Sequence, residues 1–350
     1  MFCRALCLAA GRWAKANDAS VNALVLNDDN PPDARYVNGG FASYATAGKN
    51  KTKFIGKYLR QIVSTRYDWI IFGHVSLAPL LLVSKYFNTS VKTAVAAYGI
   101  EVWHPLSNFQ QKALHRANLI LAISDHTKAE VIRHTGVSPN KVRIFPCTLD
   151  PNWSLDPYAA ISQSSPPIML SVARLTKDDR YKGIDNVIRS LPSVLLEAGP
   201  VQYRIVGEGD DVPRLRALAS ELGVSSYVEF IGGVSDAELR NEYQRCSIFV
   251  MPSNKEGFGI VFLEAMAYGK PTVGGAFGGT PSVVKNGETG LLVDPASVSE
   301  ITSSITRLLS DDALRERYGR AGHRRLLDQF TFEKFEQNLG DVFSSSIDQS

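Results

Sequence analysis

Apolar and polar residues alternate along this chain in short blocks that predict strands separated by helices. Short apolar runs bounded by polar or glycine-containing turns are typical of buried strands, and the segments between them space their apolar residues as helices do. The predicted strands lie near residues 21–26, 69–72, 92–96, 119–122 and 142–145, and then near 168–172, 203–206, 228–231, 248–251 and 271–273. This alternation predicts an α/β protein with parallel, doubly wound sheets.

Both ends of the chain are predicted to be helical. Phe2 and Leu6 recur at helical spacing before the first strand, which favours a helix over a signal peptide with its early arginine and short apolar stretch. Residues 331–343 carry Phe335 and Leu339 at the same spacing, a pattern typical of an amphipathic helix that packs on a core. No apolar run approaches the roughly 20 residues that a membrane-spanning helix needs.

A segment rich in serine, proline and aspartate, residues 152–167, separates the two sets of strands and shows no clear period. We therefore place a domain boundary there. The predicted domains are residues 1–155 and 156–330, followed by a C-terminal helix within 331–350. A chain of 350 residues, 44% of them hydrophobic, is long enough for two cores of about 150 residues each.

Charge and cysteine content argue against two classes of partner. A net charge of +3 is too small to indicate nucleic acid, and no basic run is interleaved with aromatic residues that would stack on bases. The four cysteines, Cys3, Cys7, Cys147 and Cys246, form no CxxC pair. We expect them to be buried thiols in a reducing cytoplasm rather than metal ligands.

The most informative segment is EGFGIVFLE, in which Glu256 and Glu264 lie on either side of a Phe-Gly turn and a short apolar run. If a helix begins at about Gly259, the N–H groups of Gly259, Ile260 and Val261 have no partner within that helix and form an anion site. The two carboxylates then reach different parts of one extended ligand. Two glutamates around an amphipathic helix are also ordinary surface chemistry.

Two cations precede that segment. The predicted strand at 168–173 ends on Arg174, and a helix is predicted to open near Lys182. Both residues are then placed at the carboxyl edge of a sheet, where open α/β folds bind ligands. The alternatives are that Arg174 only pairs with Asp178 or Asp185, and that Lys182 is a solvated helix start.

Glycines follow the same segment. Gly278 and Gly279 offer backbone that can approach a phosphate or a sugar closely, although a flexible turn would have the same composition. Gly232 and Val234, at the end of the strand near 228–231, are placed to meet a nucleobase through backbone groups, and a simple turn after that strand is an equally good interpretation.

Together these segments resemble glycosyltransferase family 4, the retaining nucleotide-sugar enzymes of the GT-B fold. The segments that carry the resemblance are Arg174 with 182–183, then 206–209, 230–232, 252–253, the paired glutamates and 290–293. The first half of the chain resembles the family more weakly, through 73–74, 98–101 and 123–124. The resemblance implies two Rossmann-like domains with an interdomain cleft, an acceptor domain first and a nucleotide-sugar donor domain second, with the last helix crossing back to the first domain.

The resemblance also implies the role of each residue. Arg174 and Lys182 would neutralise the departing diphosphate, Glu256 would hold hydroxyls of the transferred sugar, and Glu264 would hold the ribose. The substrate would be a UDP-sugar or a GDP-sugar, with no cofactor. No metal is expected, because the sequence lacks an Asp-x-Asp of the kind that holds Mg²⁺ beside a diphosphate.

On the acceptor side the candidates are His74, Tyr98 and Glu101. Family members commonly have a histidine before the Gly-x-Glu segment, where this chain has Tyr98. A tyrosine can donate a hydrogen bond but cannot act as a base near neutral pH. His74 lies at the end of the predicted strand near 69–72, where a lone histidine more often has a structural role. Glu101 lies on the loop after the strand near 92–96, and a surface-loop role is an equally good interpretation for it.

The family also has a strand and a glycine-rich turn before the first helix, and this sequence shows neither. The glycines Gly39 and Gly40 are not a convincing substitute. They lie in a polar loop after the predicted strand near 21–26 and do not join a strand to a helix. Two hypotheses from different classes remain. The first is an active retaining glycosyltransferase in polysaccharide, cell-surface glycan or glycolipid assembly. The alternative is an inactive or truncated nucleotide-sugar-binding paralogue acting as a partner subunit, and epimerisation or sugar-phosphate synthesis on the same fold is a third reading.

A run of cations occupies the segment before the strand near 69–72: Lys49, Lys51, Lys53, Lys57, Arg60 and Arg66. Apolar residues are interspersed, so the run could contact anionic lipid or a lipid-linked glycan acceptor. A solvated helix face is the alternative. We expect a cytoplasmic protein, with a peripheral location at the inner face of the plasma membrane as the further hypothesis, and the sequence does not indicate an oligomeric state.

Overall fold

A computed structural model describes residues 2–28, 34–37, 40–153 and 165–344 of the chain. The chain divides into two compact units, Met1–Ser154 with Phe330–Ser350 and Leu155–Gln329, here called the first and second units. The predicted boundary at residues 155 and 156 and the glycine Gly39 lie outside the described residues, so these domain limits remain a prediction. In the part of the chain that is described, no helix is long and apolar enough to cross a bilayer.

The first unit alternates helices with parallel strands. Its elements are α1 Phe2–Ala16, β1 Val21–Val25, α2 Ala34–Val37, β2 Phe41–Thr46, α3 Lys51–Ser64, β3 Trp69–Phe72, α4 Pro79–Phe87, β4 Lys92–Ala97, α5 Asn108–Arg116, β5 Leu119–Ala122, α6 Asp125–Thr135, β6 Val142–Ile144 and α14 Phe332–Ser344. Strands β3, β4, β5 and β6 form a four-stranded parallel sheet in that order. Each predicted strand of this half is present within a residue or two of its expected ends.

Strand β1 lies in a separate sheet, which differs from the single sheet that the alternation predicts. It pairs in parallel with β2, a strand that the apolar pattern missed. The reason is visible in the sequence FASYAT, where small and polar residues leave most positions of β2 partly or fully exposed. Such a strand lacks the continuous apolar run by which a buried strand is recognised.

The core of the first unit lies between the four-stranded sheet and its helices. Strand β4 is buried at every position after its first, because helices cover both faces of a parallel sheet. The terminal helices α1 and α14 are present as predicted. They meet through aromatic rings, with the centroid of Phe2 5.4 Å from that of Phe335 and the centroid of Trp13 4.5 Å from that of Phe343.

The second unit is built around a six-stranded parallel sheet. Its elements are β7 Ile168–Val172, α7 Ile184–Ala198, β8 Gln202–Val206, α8 Val212–Glu221, β9 Val228–Gly232, α9 Asp236–Arg245, β10 Ile248–Met251, α10 Ile260–Ala267, β11 Thr272–Gly275, α11 Thr280–Val283, β12 Gly290–Val293, α12 Val298–Leu309 and α13 Asp312–Gln329. The strand order is β12-β11-β10-β7-β8-β9. The predicted strands are all present, and the short strand β12 was missed.

The strand order of the second unit brings the predicted site residues to one sheet edge. Strands β7, β8 and β10 are neighbours and parallel, so their carboxyl ends lie together. The loop after β8 packs directly on the loop after β7, because the N–H of Leu175 donates to the carbonyl of Glu208 at 2.8 Å and the N–H of Asp211 donates to the carbonyl of Leu175 at 2.9 Å. This edge is where an open α/β sheet binds ligands.

Candidate active site

An ion pair joins two predicted site residues that are far apart in the sequence. The Nζ of Lys182 lies 2.6 Å from Oε2 of Glu256, and their side chains are only 16% and 14% exposed. Lys182 ends a short 3₁₀ segment, Lys177–Lys182, after β7, and Glu256 lies in the loop between β10 and α10. The two loops are fastened by the N–H of Asn254, which donates to the carbonyl of Tyr181 at 2.9 Å. Lys182 is therefore held in place rather than solvated.

Arg174 follows β7 and pairs with Asp179. One guanidinium nitrogen lies 2.9 Å from Oδ1 of Asp179, while 76% of the arginine side chain is exposed. The sequence left Asp178 and Asp185 as the alternative partners, and that choice of partner is wrong. Asp179 lies within the 3₁₀ segment and is its one buried residue.

The carboxylate of Asp179 organises this turn. Besides Arg174, it accepts hydrogen bonds from Oγ1 of Thr176 at 2.6 Å and from the hydroxyl of Tyr181 at 3.0 Å. Burial raises the pKa of Asp179, but these hydrogen bonds and the nearby charges of Arg174 and Lys182 outweigh it and lower the pKa below its usual range. The group stays ionised near neutral pH and offers Arg174 a charged partner.

Helix α10 begins where the sequence predicts. Its N-cap is Gly259, and no side chain caps the helix. Gly259 has φ +94°, and a Cβ there would lie 2.5 Å from the ring of Phe262, so only glycine fits this position. Gly259 is buried, whereas Ile260 and Val261 are partly exposed. An uncapped helix start of this kind attracts an anion through its N–H groups and its dipole.

Glu264 lies one turn further along α10. Its Oε2 accepts a hydrogen bond from the hydroxyl of Tyr243 at 2.8 Å, and Tyr243 is completely buried on α9. Burial, and then the charge of Glu264, raise the pKa of Tyr243 well above its ordinary value, so the phenol remains a donor. The sequence analysis missed Tyr243. Its one signal is that it is the only aromatic side chain in the largely polar helix DAELRNEYQR.

The glycine pair supports the loop of Glu256. The N–H of Gly279 donates to the carbonyl of Glu256 at 2.6 Å, and a Cβ on Gly279 would lie 2.0 Å from the carbonyl oxygen of Gly257. Gly278, with φ +66°, turns the chain into this contact. The turn is thus packed against the neighbouring loop. Whether the pair also approaches a ligand stays a prediction.

Gly232 and Val234 lie beside the loop after β8. The carbonyl of Gly232 accepts the N–H of Gly207 at 2.9 Å, and the N–H of Gly233 donates to Oε1 of Glu208 at 3.1 Å. Val234 is partly exposed. These bonds fix the backbone of the segment, and its contact with a nucleobase stays a prediction.

A second carboxylate that the sequence analysis missed holds the 3₁₀ segment from the side of β8. Asp211, buried at the N-cap position of α8, makes no cap hydrogen bond. It accepts instead from Nε and Nη2 of Arg180 at 3.0 and 2.8 Å and from Nη2 of Arg214 at 2.6 Å. Hydrogen bonds from Arg214, opposed by burial and aided by Arg180, lower the pKa of Asp211. Arg180 lies between Asp179 and Lys182 in the sequence, so its hydrogen bonds to Asp211 help to fix the positions of both residues.

In the first unit the structure brings His74, Tyr98 and Glu101 together. The backbone N–H of Tyr98 donates to Oε1 of Glu101 at 2.5 Å, and the centroids of the His74 and Tyr98 rings are 5.7 Å apart. The Tyr98 hydroxyl donates to the carbonyl of Gly73, and Nδ1 of His74 accepts the N–H of Ser76 at 3.0 Å. Burial raises the pKa of Tyr98, which keeps it a donor. Any role of these residues toward an acceptor stays a prediction.

The expected burial of all four cysteines is wrong for two of them. Cys3 is exposed and Cys7 is half-buried, whereas Cys147 and Cys246 are buried. Cys3 lies on the side of α1 that meets the Tyr98 segment, with Sγ 2.9 Å from the Tyr98 hydroxyl. Among the residues that are described, no group of three or more His, Cys, Asp or Glu side chains could hold a metal ion.

Comparison with known proteins places these residues in a family context. Residues 159–325, which contain every candidate of the second unit, match the family model described as glycosyl transferases group 1. A GDP-mannose-dependent alpha-(1-6)-phosphatidylinositol monomannoside mannosyltransferase from Mycolicibacterium smegmatis is 29% identical over 296 residues, which cover 79% of this chain and 76% of that protein.

Two solved structures share the fold over nearly the whole chain. Sucrose-phosphate synthase from Thermosynechococcus elongatus superimposes with a TM-score of 0.75 at 22% identity, covering 98% of this chain and 92% of that one. Anabaena HepE in complex with UDP and glucose gives a TM-score of 0.74 at 19% identity, covering 98% and 96%. These likenesses establish the fold.

Proposed function

Since this chain belongs to the glycosyl transferases group 1 family and has the GT-B fold, we propose that it moves a sugar from a nucleoside diphosphate sugar to an acceptor hydroxyl with retention at the anomeric carbon. It is a glycosyltransferase with a nucleotide-sugar donor. The observation that carries the detailed proposal is the Lys182–Glu256 ion pair, which lies at one sheet edge with Arg174 and is followed by the uncapped start of α10.

The chemistry that this arrangement supports is departure of a diphosphate. The bond from the anomeric carbon to the diphosphate oxygen breaks, a bond to the acceptor oxygen forms, and the acceptor proton leaves with the diphosphate or to solvent. Negative charge grows on the diphosphate as the bond breaks. Lys182 and the N–H groups of Ile260 and Val261 are oriented donors for that charge, each able to lower the barrier by about 3 kcal/mol, and Arg174 is a further cation beside them.

Lys182 and Glu256 have complementary tasks in this proposal. When no nucleotide sugar is bound, the two largely buried side chains neutralise each other's charge. When a diphosphate shares Lys182, the Glu256 carboxylate accepts hydroxyl hydrogens of the transferred sugar, so neither charge is left without a partner. Glu264 takes the ribose, and Gly232 and Val234 meet the base. With these groups neutralising the diphosphate, we expect transfer to persist in EDTA.

Because the mycolicibacterial relative is named as GDP-mannose-dependent, GDP-mannose is the first donor to test, followed by UDP-sugars. The assay is product detection by mass spectrometry with phosphatidylinositol, its mannosides and short glycans as acceptors, and retention is determined from the anomeric proton coupling. Lys182→Ala and Glu256→Ala should each lower turnover at least 100-fold.

The matched control is Lys177→Ala. Lys177 opens the same 3₁₀ segment, but its 3.5 Å pair with Asp210 is exposed, so its loss should leave turnover unchanged. Equal activity of Lys182→Ala and Lys177→Ala would refute the site. Binding of a nucleotide sugar by a folded chain that transfers and hydrolyses nothing would favour the inactive partner-subunit hypothesis instead.

A surface of the first unit supports a lipid-linked acceptor. On α3 the side chains of Ile55, Leu59 and Val63 follow one another at four-residue spacing on one face and are 44%, 38% and 65% exposed. The cations Lys53 and Arg60 on the same helix are also exposed. An apolar stripe flanked by cations is the pattern of a helix that lies on an anionic membrane surface. We call this the α3 face and propose that it contacts such a surface.

Not every residue of the predicted cationic run belongs to this face. Lys57 turns inward, and its Nζ donates to the carbonyl of Thr46 at 3.0 Å. Flotation with phosphatidylglycerol vesicles tests the proposal. Leu59→Ser/Val63→Ser should release the protein, whereas Leu196→Ser, which removes an even more exposed apolar residue of the second unit, should not. Equal flotation with neutral phosphatidylcholine vesicles would contradict the electrostatic part.

A further inference from the structure

A buried tyrosine hydroxyl is directed at one of the predicted ligand-binding carboxylates. Tyr243 on α9 is 0% exposed, and its hydroxyl donates to Oε2 of Glu264 on α10 at 2.8 Å. The same hydroxyl lies 3.4 Å from the carbonyl of Val261, in the first turn of α10. Tyr243 therefore contacts both the start of the helix and the carboxylate one turn along it.

The ring that carries this hydroxyl is tightly held. Tyr268 stacks on it with centroids 6.2 Å apart and planes 8° from parallel, and the Phe249 ring lies 5.7 Å away on β10. A buried aromatic ring with neighbours on two elements has no freedom to follow a moving partner. Its hydroxyl is thus a fixed point in the second unit, against which the more exposed Glu264 is oriented.

Packing alone does not require a hydroxyl at this position. A phenylalanine would fill the same space without bringing a polar group into the core, where it needs a partner. The partner here is an ionisable side chain that is itself partly exposed on α10. A glutamate has several rotatable bonds, and a ligand that binds it loses affinity when it must order them. A hydrogen bond to one oxygen removes that cost in advance.

We propose that Tyr243 is a positioning residue, which holds the Glu264 carboxylate in the orientation that accepts hydrogen bonds from the ribose hydroxyls of the donor nucleotide. This rests on the proposed function, in which Glu264 binds the ribose. Tyr243 acts only through Glu264 and touches no substrate. Its contribution therefore exists for a nucleotide that carries ribose hydroxyls and disappears for one that lacks them.

The test is calorimetric titration with GDP and UDP and with their 2′,3′-dideoxy forms. Tyr243→Phe should weaken binding of the preferred ribonucleotide about tenfold, as expected for one hydrogen bond to a charged group. Binding of the dideoxy form should change less than about twofold. In the Glu264→Ala background, adding Tyr243→Phe should have no further effect on either ligand.

Tyr203→Phe is the matched control. Tyr203 is equally buried in the second unit, and its hydroxyl lies 2.8 Å from Oγ of Ser171, so its loss removes a buried hydrogen bond that does not involve Glu264. It should leave the ratio of ribonucleotide to dideoxynucleotide affinity unchanged. Thermal unfolding of each variant verifies the fold.

Two results would overturn the inference, and they differ from each other. If Tyr243→Phe weakens ribonucleotide and dideoxynucleotide equally, or changes neither, Tyr243 is only a core residue and the donor site stands. If the folded wild-type chain binds none of the four nucleotides, the proposed donor site itself is wrong, and the role of Tyr243 falls with it.

Discussion

Replacing Asp211 by asparagine should destabilise the second unit by roughly 2 kcal/mol near neutral pH. The substitution keeps the shape of the side chain but removes the charge that Arg180 and Arg214 share. Hydrogen bonds to a charged group are worth about 1.5–3 kcal/mol each, and breaking a fully buried pair costs about 3–5 kcal/mol. The arginine side chains are 49% and 33% exposed, so both regain water when the carboxylate is lost, and the cost is correspondingly smaller.

The effect should depend on pH in one direction. Hydrogen bonds from Arg214, more than any other cause, hold the pKa of Asp211 below its unfolded value of about 3.9. A group whose pKa is lowered on folding contributes its full stability above the unfolded pKa and loses it as pH falls through the folded pKa. The difference between wild type and Asp211→Asn should therefore be complete at about pH 7 and should shrink as pH falls below about 4.

Hydrogen–deuterium exchange is the suitable assay, because it reports each unit separately. All four tryptophans lie within residues 1–153, so tryptophan fluorescence does not report on the second unit. Peptides covering 174–183 and 207–216 should exchange faster in the variant at about pH 7, after correction for intrinsic rates, with peptides from 92–97 as the internal reference.

The control for this experiment is Asp210→Asn, which alters the exposed neighbour that receives the N–H of Lys177 at 3.0 Å. It should produce no measurable change. If Asp210→Asn and Asp211→Asn behave alike, or if the difference between Asp211→Asn and wild type is as large at about pH 3.5 as at neutral pH, the reasoning from the buried carboxylate is refuted.

Three further substitutions have expected outcomes of different kinds. Gly279→Ala should lower turnover more than about tenfold, because its Cβ would overlap the carbonyl of Gly257 and displace the Glu256 loop; steady-state kinetics with near-normal melting would support this. Gly56→Ala on α3 should raise the free energy of unfolding by about 0.5–1 kcal/mol, since no atom lies within 4 Å of the added Cβ, and a lowered melting temperature would contradict it. Arg204→Met should cost about 3 kcal/mol by leaving the buried Glu242 carboxylate without its 2.7 Å partner, and the double variant with Glu242→Met should regain much of that loss in thermal unfolding.

Strands were predictable where burial on both faces leaves a continuous apolar run. Strand β10 is buried at each of its positions, and β7 at all but its last, and both were recognised from sequence. Strand β2 was missed because only one of its six positions is buried, and β12 because its short run begins with a glycine. Pairing was not predictable either, since nothing in the local pattern of β1 indicates that its partner is β2 rather than β3.

The candidate site was predictable where a residue type has a local meaning. Gly259 before an apolar run indicated the helix start, and the structure has it as the N-cap of α10. The partners were not predictable, because they come from other elements. Asp211 occupies an N-cap position, for which aspartate is a common choice, yet its carboxylate turns away to bind two arginines. Tyr243 resembles any core residue until α10 is placed beside it.

The way in which the cations are held suggests that they contribute differently to binding a diphosphate. Lys182 is largely buried and held by Glu256, so a bound diphosphate meets a positive charge whose position is already fixed. Arg174 is tied to Asp179 by one contact while most of its side chain is in water, so it can turn toward a ligand but must lose rotational freedom to do so. The fixed lysine is therefore suited to charge that develops at one point during bond breaking, and the exposed arginine to capture of the incoming diphosphate. Loss of Lys182 should then appear mainly in kcat, and loss of Arg174 mainly in KM.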